Sequence, residues 1–422
     1  MRSFAVAVSL FAAASALAAD PLPRATPESV GMSSRRLARI DEALKAEIDK
    51  GRMPGAVIAV ARRGKLVYYK AYGWLDKDAG TKMTTDAIFS IASMTKPMVA
   101  AGALTLVEHG KLQIEDPLAT VYPQFAKMQV AVLRKDDGGG QGFDTVAAAR
   151  QITMRDLLTH TSGLIYGARG TTAVHKIYPP SSSGAGTTMT GREFLDKLGT
   201  LPLLQQPGST WDYGFGLDVL GLVIEKVSGQ TLGEYLSGQI WKPLGMGDTG
   251  FAVPADKLKR YAKGFANDPD TGKPQTVLDL SKPLKFQCGG GCAASTAADY
   301  LRFAQMLLNG GRLDGTRVLG RKTVEYMLAN QLAPGTVNLI GNADPTRADM
   351  GFGLGLAVQT TPGVVRTVGS VGSFSWPGAY GTNWWGDPKE QLAVVFMAAT
   401  PGPIRWHYRY MISTLVNQAI VD

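Results

Sequence analysis

The chain has 422 residues, of which 45% are apolar and 19% are charged, and its formal net charge is +9. This is the composition of an ordinary globular protein, and the length is ample for a large buried core. The basic residues are scattered, and their densest cluster, 257–260, is short and lacks the interleaved aromatic side chains of a nucleic-acid-binding stripe. We therefore expect a solvated basic surface and no nucleic-acid partner.

Residues 1–19 have the three parts of a secretory signal peptide. Arg2 supplies a positive charge, Phe4 to Ala14 form a short apolar run, and Ala16-Leu17-Ala18 offers small residues for cleavage. The alternative is a membrane anchor, but the apolar run is too short to span a bilayer. No later segment approaches a membrane-spanning length, so we expect a soluble protein that is exported to the periplasm or secreted.

The apolar periodicity predicts strands near both ends of the mature chain and helices between them. The predicted elements, in chain order, are a helix at 33–50, a β-hairpin at 55–61 and 65–72, helices at 98–112, 152–158, 190–198, 215–228, 232–244 and 295–308, strands at 351–360, 364–370, 378–386 and 391–399, and a helix at 405–420. Two stretches rich in Gly, Ser or Pro, 135–142 and 178–188, are expected to be long loops without regular structure.

This order of elements predicts an α/β plus all-α architecture. One antiparallel sheet would be built from both chain ends and flanked by helices, with a helical lobe inserted in the middle and the active site in the cleft. We assign 20–95 and 295–422 to the α/β lobe and 96–294 to the mostly helical lobe. Together they would form a single catalytic domain of about 29–420.

The only two cysteines lie in Cys288-Gly289-Gly290-Gly291-Cys292. In an oxidising compartment they could close a small disulfide ring, because three glycines can adopt the backbone conformations that such a ring demands. Two free buried thiols are the alternative, since a Cα separation cannot be read from sequence. A zinc site would need more ligands, and the four histidines show no paired spacing, so no metal or cofactor is expected.

Ser93-Met94-Thr95-Lys96 is the strongest candidate for a catalytic motif, because Gly-x-Ser-x-Gly, His-Glu-x-x-His and P-loop patterns are absent from the sequence. Residues three apart share one face of a helix, so the Lys96 amine would lie near the Ser93 hydroxyl. An uncharged lysine there can remove the serine proton, and a helix N-terminus favours the resulting alkoxide. Pro97 fits within the first helical turn. Alone the spacing is weak evidence, since Ser93 could be a simple helix cap.

Two later segments could complete such a site. Tyr213 lies between Asp212 and Gly214 just before a helix, where its phenol could project into a cleft and act as a second base. Trp376-Pro377-Gly378-Ala379 begins a candidate strand, and the Ala379 N–H could join that of Ser93 in an oxyanion hole. The alternatives are a buried packing role for Tyr213 and a plain turn with a core aromatic at 376–377.

In this order the three segments resemble the Ser-x-x-Lys, Tyr-x-Asn and Lys-Thr-Gly elements of class C β-lactamases and DD-peptidases. They resemble even more closely those of family VIII carboxylesterases, whose third element is often Trp-Gly-Gly. The stretches 157–164, 221–229 and 295–300 are also similar to this superfamily, and the likeness extends from about residue 29 to the end. The resemblance implies a β-lactamase-like two-lobed fold.

Carried over position by position, the resemblance makes Ser93 the acyl-forming nucleophile and Lys96 and Tyr213 its general bases. It makes the Ser93 and Ala379 amides the oxyanion donors. His160 falls in a similar stretch but not at a catalytic position, so we interpret it as structural.

Two departures from the β-lactamase pattern change the expected substrate. Phe215 stands where β-lactamases carry an Asn, and Trp376 stands where they carry a Lys that helps to hold the β-lactam carboxylate. With Pro377 and Gly378, these residues would line a more apolar pocket, which suits a neutral ester. Gly214, beside Tyr213, could also loosen that loop.

We therefore expect a serine carboxylesterase that acts on a small-molecule substrate. An amide-directed enzyme is the first alternative, namely a β-lactamase, a D-amino-acid peptidase or a DD-peptidase. A non-catalytic penicillin-binding sensor that kept the fold is the second. The intact set of Ser93, Lys96 and Tyr213 disfavours this last interpretation.

Overall fold

The structure, a computed structural model, describes residues 20–134, 142–363 and 365–422. The predicted signal peptide lies outside these residues, as does the predicted loop at 135–142 apart from Gly142.

The first part of the described chain forms two helices, a series of strands and a long buried helix. These elements are α1 (Ser34–Leu37), α2 (Arg39–Asp49), β1 (Gly55–Arg62), β2 (Lys65–Asp76), β3 (Thr81–Lys82), β4 (Phe89–Ala92), α3 (Thr95–Glu108), β5 (Gln129–Leu133) and β6 (Phe143–Ala147).

The middle of the chain is mostly helical, as the periodicity predicts. Its elements are α4 (Met154–Leu158), α5 (Ala173–Ile177), α6 (Ser182–Thr188), α7 (Gly191–Thr200), β7 (Thr210–Trp211), α8 (Gly216–Ser228), α9 (Leu232–Leu236), which continues into a π-helical turn at Ser237–Trp241, β8 (Ala293–Ser295) and α10 (Ala297–Leu308).

The last part returns to short strands and ends in a helix. Its elements are β9 (Arg312–Leu313), β10 (Thr316–Arg317), α11 (Arg321–Met327), β11 (Val337–Asn338), α12 (Ile340–Ala343), β12 (Gly351–Phe352), β13 (Ala357–Val358), β14 (Phe374–Ser375), β15 (Asn383–Asp387), β16 (Leu392–Ala398) and α13 (Ile404–Asn417).

The main sheet has eight strands in the order β12-β13-β14-β15-β16-β1-β2-β3. Its neighbouring strands are antiparallel, and the central pair joins the two ends of the chain, with Ala56 opposite Ala398 and Arg62 opposite Leu392. This confirms the predicted antiparallel sheet built from both chain ends and flanked by helices. The division into lobes at residues 95 and 294 stays a prediction.

Alternation along β1 directs its side chains into two separate cores. Val57, Ala59 and Ala61 belong to the large core that includes α3, α8 and α10, whereas Ile58 and Val60 pack with α2 and α13 on the other face. Because successive side chains of a strand point to opposite faces, a strand covered on both faces must be apolar throughout. All eight residues of β1 are accordingly buried.

The predicted loop at 178–188 is wrong in part, because it contains α6. The Ser181 hydroxyl caps this helix by accepting from the Gly184 N–H at 3.2 Å. Ala185 and Gly186 are buried, and a Cβ at Gly186 would lie 3.1 Å from Cys288 Sγ. Small residues are therefore required for close packing here, and such a helix has no large apolar residues to reveal its period.

Three predicted strands also need correction. The segment 351–360 is a hairpin of β12 and β13, because Gly355 adopts a φ of +82° between them. The described residues 365–370 contain no strand, and the sheet is instead continued by β14. The strand predicted at 378–386 begins only at Asn383, after a turn in which Gly381 has a φ of +104°.

In the described part of the chain, no helix combines the length and the apolar character that crossing a membrane requires.

Candidate active site

Ser93 lies in the turn between β4 and α3. Ala92, the last residue of β4, has a φ of +44°, a left-handed conformation that costs free energy for a residue with a side chain. The Thr95 hydroxyl holds this turn by donating to the Ala92 carbonyl at 2.7 Å and accepting from the Ala293 N–H at 3.1 Å. Ser93 is partly exposed, whereas its neighbours Ala92 and Met94 are buried. The serine side chain is thus presented at the surface of an otherwise buried turn.

The structure brings the three predicted catalytic side chains together. The Tyr213 hydroxyl donates to Ser93 Oγ at 2.6 Å, and Lys96 Nζ lies 3.5 Å from the same oxygen. Lys96 Nζ also lies 4.4 Å from the centroid of the Tyr213 ring. Both a lysine amine and a phenol are therefore within reach of the Ser93 proton.

Lys96 is completely buried and bound to groups that no motif indicated. Its Nζ donates to the Gly290 carbonyl and, at 3.1 Å, to the Tyr166 hydroxyl. Tyr166 donates in turn to Asp218 Oδ2 at 3.1 Å. A hydrogen-bonded path therefore connects the lysine amine with a buried carboxylate.

Asp218 lies on α8 with no exposed surface, and three donors bind it. Besides Tyr166, these are the Ser182 hydroxyl at 2.8 Å and the Gly290 N–H at 2.8 Å. Burial raises the pKa of Asp218, and the charge of Lys96 together with these donors opposes that rise. Asp218 was not predicted as a site residue, although a charged residue within the apolar run of α8 is a signal for one that the sequence contains.

The Cys288–Cys292 segment forms a disulfide with a Cα–Cα distance of 5.3 Å, so the alternative of two free thiols is wrong. The reason given for its glycines also needs correction, because none of 289–291 has a positive φ. Gly289 and Gly290 are needed for close approach instead. A Cβ at Gly290 would collide with the Asp218 carboxylate, and one at Gly289 would collide with the Leu217 carbonyl.

Tyr213 is held from behind by aromatic side chains. The Trp376 indole N–H donates to Tyr213 Oη at 3.1 Å, and the Trp384 indole N–H donates to the Trp376 carbonyl at 3.0 Å. The Arg169 guanidinium also lies 5.3 Å from the Tyr213 ring centroid, a cation–π distance. A hydrogen-bonded chain thus runs from the main sheet through Trp376 and Tyr213 to Ser93.

His160 packs behind the same tyrosine. Its ring lies 4.8 Å from the Tyr213 ring, and its Nδ1 accepts from the Gly214 N–H at 3.4 Å. Burial lowers the pKa of His160 well below its usual value, so the imidazole is neutral. These contacts are those of a residue that positions the Tyr213 loop.

Gly214 does not loosen this loop, contrary to the expectation from sequence. A Cβ there would collide with the Leu164 carbonyl, and Gly214 forms an antiparallel bridge with Ile165. The glycine is required because two backbone segments meet at this point.

Ala379 lies in an exposed turn and not on a strand, which corrects the sequence-based expectation. The Gly378 N–H donates to the Thr382 carbonyl at 2.9 Å, and a Cβ at Gly378 would collide with the Ile91 carbonyl. The turn is therefore packed against the end of β4, two residues from Ser93. Within the described residues, the backbone N–H groups of Ser93 and Ala379 have no hydrogen-bond acceptor in the protein.

Phe215 does not line a pocket, and this expectation is corrected. It is completely buried, with its ring 4.5 Å from Tyr166 and 5.1 Å from Phe194. Pro377 and Gly378 are buried as well, and Trp376 is only 2% exposed. These residues are therefore part of the packed interior and not an open apolar surface, and Trp376 is the one of them that contacts Tyr213.

An open cavity of about 240 Å³ adjoins Tyr213, and Trp376 is not among its lining residues. Its lining is polar for the most part and includes Arg169, His175, Asp212 and Asn342. Arg169 is fixed there by donating to the Asn342 carbonyl at 2.6 Å.

Comparison with known proteins identifies the family. The model of the family described as Beta-lactamase matches residues 40–409, so the chain belongs to this family. Protein Rv1367c of Mycobacterium tuberculosis (strain ATCC 25618 / H37Rv) is 39% identical over 354 residues, which are 83% of this chain and 86% of that protein. Esterase EstB of Burkholderia gladioli is 32% identical over 381 residues, which are 86% of this chain and 90% of that protein.

Among solved structures, EstCE1, a hydrolase with promiscuous acyltransferase activity, is 25% identical to this chain. It superimposes with a TM-score of 0.73, covering 90% of this chain and 98% of that one. These findings confirm the resemblance to the serine β-lactamase superfamily and its fold. The chain is a member of a serine hydrolase family that includes esterases.

Proposed function

We propose that the protein hydrolyses carboxylic esters through an acyl-enzyme on Ser93. The observation that carries this proposal is the contact of a phenol and a lysine amine with one serine oxygen, Tyr213 at 2.6 Å and Lys96 at 3.5 Å. The similarity to Esterase EstB favours esters as substrates. So does Trp376, which stands where a carboxylate-binding lysine would be expected in a β-lactamase.

In the proposed acylation, Lys96 first loses a proton to solvent, and its free amine then takes the Ser93 proton as Oγ forms a bond to the ester carbonyl carbon. The carbonyl oxygen becomes an oxyanion, which the Ser93 and Ala379 amides stabilise by hydrogen bonding. The C–O bond to the alcohol then breaks, and the Tyr213 phenol gives its proton to the departing oxygen. This leaves the acyl-enzyme, a Tyr213 phenolate and a protonated Lys96.

In deacylation, the Tyr213 phenolate takes a proton from water, and the hydroxide attacks the acyl carbon. When the new intermediate collapses, the carboxylic acid leaves and Ser93 Oγ recovers its proton from Lys96. The indole N–H of Trp376 and the cation of Lys96 both face the phenolate and favour it between the two half-reactions.

The test is a substrate panel on the wild type and the Ser93→Ala variant. We expect turnover of short-chain p-nitrophenyl esters by the wild type, and loss of that turnover in Ser93→Ala. Ser281→Ala, at an exposed serine, is the matched control and should retain wild-type rates. Full activity in Ser93→Ala would contradict the mechanism.

The same panel decides between esters and amides. Values of kcat/KM are compared for p-nitrophenyl butyrate, nitrocefin and a peptide that ends in D-Ala-D-Ala. We expect the ester to dominate, and dominance of either amide would reverse the proposed order of substrates. A stable adduct in intact-protein mass spectrometry, without turnover of any substrate, would instead support a sensor.

We also propose that the protein is exported. The features of residues 1–19 support this, and so does the disulfide, because such bonds persist in oxidising compartments. Fractionation of a bacterial host that expresses the full chain should give periplasmic or extracellular protein that begins near residue 20. Recovery of an uncleaved chain in the cytoplasm would contradict export.

A further inference from the structure

A buried ionic cluster lies beneath the turn that carries Ala379. Arg409 of α13, Arg347 and Asp344 are 3%, 4% and 2% exposed. Arg409 Nη1 donates to Asp344 Oδ2 at 2.8 Å, while the other oxygen of Asp344 accepts from the N–H and hydroxyl of Thr346. Arg347 is bound by the oxygens of Ser375, Thr346 and Asn383, which carry no charge.

The cluster therefore holds two guanidinium groups for one carboxylate. Burial lowers the pKa of Arg347 to about 10 and also lowers that of Arg409, while the Asp344 carboxylate opposes both shifts. Both arginines remain charged near neutral pH. Within the described residues, the Arg409–Asp344 contact is the ion pair of this cluster, so one buried positive charge is left without a counter-charge.

The second hydrogen bond of Arg409 reaches the candidate oxyanion hole. Its Nη2 donates to the Gly378 carbonyl oxygen at 2.7 Å. That carbonyl and the Ala379 N–H are the two ends of one peptide group, and electrons are delocalised across the planar C–N bond. A cationic donor on the oxygen draws electron density from the nitrogen and makes the N–H a stronger donor, because hydrogen bonds in series polarise one another.

We propose that Arg409 acts as a positioning residue that polarises the Gly378–Ala379 peptide and thereby strengthens the Ala379 N–H as an oxyanion donor. This rests on the proposed function, in which that N–H binds the oxyanion. The guanidinium lies behind the turn and does not touch the substrate. Since the negative charge develops only in the transition state, Arg409 should affect kcat more than KM.

The kinetic test compares Arg409→Gln with Arg347→Gln. Both variants remove one buried cation from the same cluster, but only Arg409 contacts the Gly378 carbonyl. Loss of a whole oxyanion donor costs about 100- to 1,000-fold in kcat, so weakening one should cost roughly 10- to 30-fold. We expect this loss in Arg409→Gln with KM changed less than about threefold, and a much smaller loss in Arg347→Gln. Equal losses in the two variants would overturn the proposal.

A spectroscopic readout separates polarisation from a general loss of structure. A slowly deacylating ester with a ¹³C-labelled carbonyl forms the acyl-enzyme, and difference infrared spectroscopy records its C=O stretch. In Arg409→Gln this band should move to higher wavenumber than in the wild type, while Arg347→Gln keeps the wild-type frequency. An unchanged band in Arg409→Gln would overturn the proposal.

A second variant at Arg409 and the acyl-enzyme band of the wild type complete the test. If Arg409→Gln does not fold, Arg409→Lys, which retains the cation, replaces it. Its acyl-enzyme band should then lie between those of the wild type and the free ester. A band at the wild-type frequency together with a reduced kcat would overturn the proposal. Absence of any acyl-enzyme band in the wild type would instead refute the proposed function itself, so the two failures are distinguishable.

Discussion

The phenol of Tyr213 receives a hydrogen bond from Trp376 on one side and donates one to Ser93 on the other. Its ring is fixed by the neutral imidazole of His160, so the hydroxyl has little freedom to turn away. In the proposed mechanism this oxygen becomes a phenolate between the two half-reactions. A donor that already faces the oxygen stabilises that charge without reorganisation.

Replacing Trp376 by Phe tests this donor. The ring volume is largely kept, but the indole N–H is lost, and a hydrogen bond to a charged group contributes about 1.5–3 kcal/mol. We expect kcat for p-nitrophenyl butyrate to fall roughly 10- to 100-fold in steady-state assays. Trp384→Phe is the control, because it removes an indole N–H that binds a backbone carbonyl and not the phenol. Equal kcat values for the two variants would contradict the role given to Trp376.

The motifs located the reacting groups from sequence but not the groups that support them. Ser93 and Lys96 are linked by helical spacing, and Tyr213 and Trp376 by order along the chain, so a pattern could find them. Asp218 and Arg409 act through contacts between segments far apart in sequence, and their segments were predicted only to be helical. Phe215 was misplaced because a motif position does not specify which way a side chain faces.

At the level of single elements, the N-terminus of α10 contains a carboxylate held in an unfavourable state. Asp299 is 7% exposed, and its Oδ2 accepts from the Asp248 N–H at 2.8 Å and from the Thr249 hydroxyl at 2.9 Å. Burial raises the pKa of Asp299 to about 6. The folded protein therefore binds this proton more tightly than the unfolded chain does, and the side chain destabilises the fold once it ionises.

Asp299→Asn should remove this pH dependence, since one amide oxygen can accept both hydrogen bonds. The stability that the raised pKa gives is fully present below about pH 4 and is lost as the pH rises to about 6. We expect the free energy of unfolding of the wild type to fall by about 1–3 kcal/mol relative to the variant across that interval. Urea titrations at several pH values measure it, and parallel pH profiles would refute the assignment.

The disulfide at 288–292 should matter more for activity than for stability. A ring this small restrains the unfolded chain little, so the double variant Cys288→Ser/Cys292→Ser should lose about 2 kcal/mol at most. Gly290 within the ring binds both Lys96 and Asp218. We therefore expect the double variant to lose a larger fraction of its kcat than of its stability. Reduction of the wild type should reproduce that loss, and reductant should not affect the double variant. Full activity after verified reduction would contradict this prediction.

On the scale of the whole molecule, the centre of the main sheet depends on the pairing of β1 with β16, from opposite ends of the chain. β-rich segments near both ends allowed this sheet to be predicted from sequence. The order of its edge strands could not be predicted, because β12, β13 and β14 have two residues each and no recognisable period. Their positions follow from glycine turns and long-range contacts.

A chain that stops at residue 390 should not fold. It lacks β16 and α13, which leaves β1 without its central partner and removes Arg409. We expect no cooperative urea transition and no esterase activity from this fragment. Full-length protein refolded from urea is the control and should recover slowly, because its sheet needs contacts between distant residues. A cooperative transition in the fragment would refute the prediction.

The β1–β16 pairing has a consequence for when the protein becomes active. Ser93 is synthesised early, but Trp376, the Ala379 turn and Arg409 come from the final fifth of the chain, as does β16. Growing or prematurely terminated polypeptides would thus carry an inert serine. On the proposed function, ester hydrolysis would therefore begin only after the last strand has paired with β1.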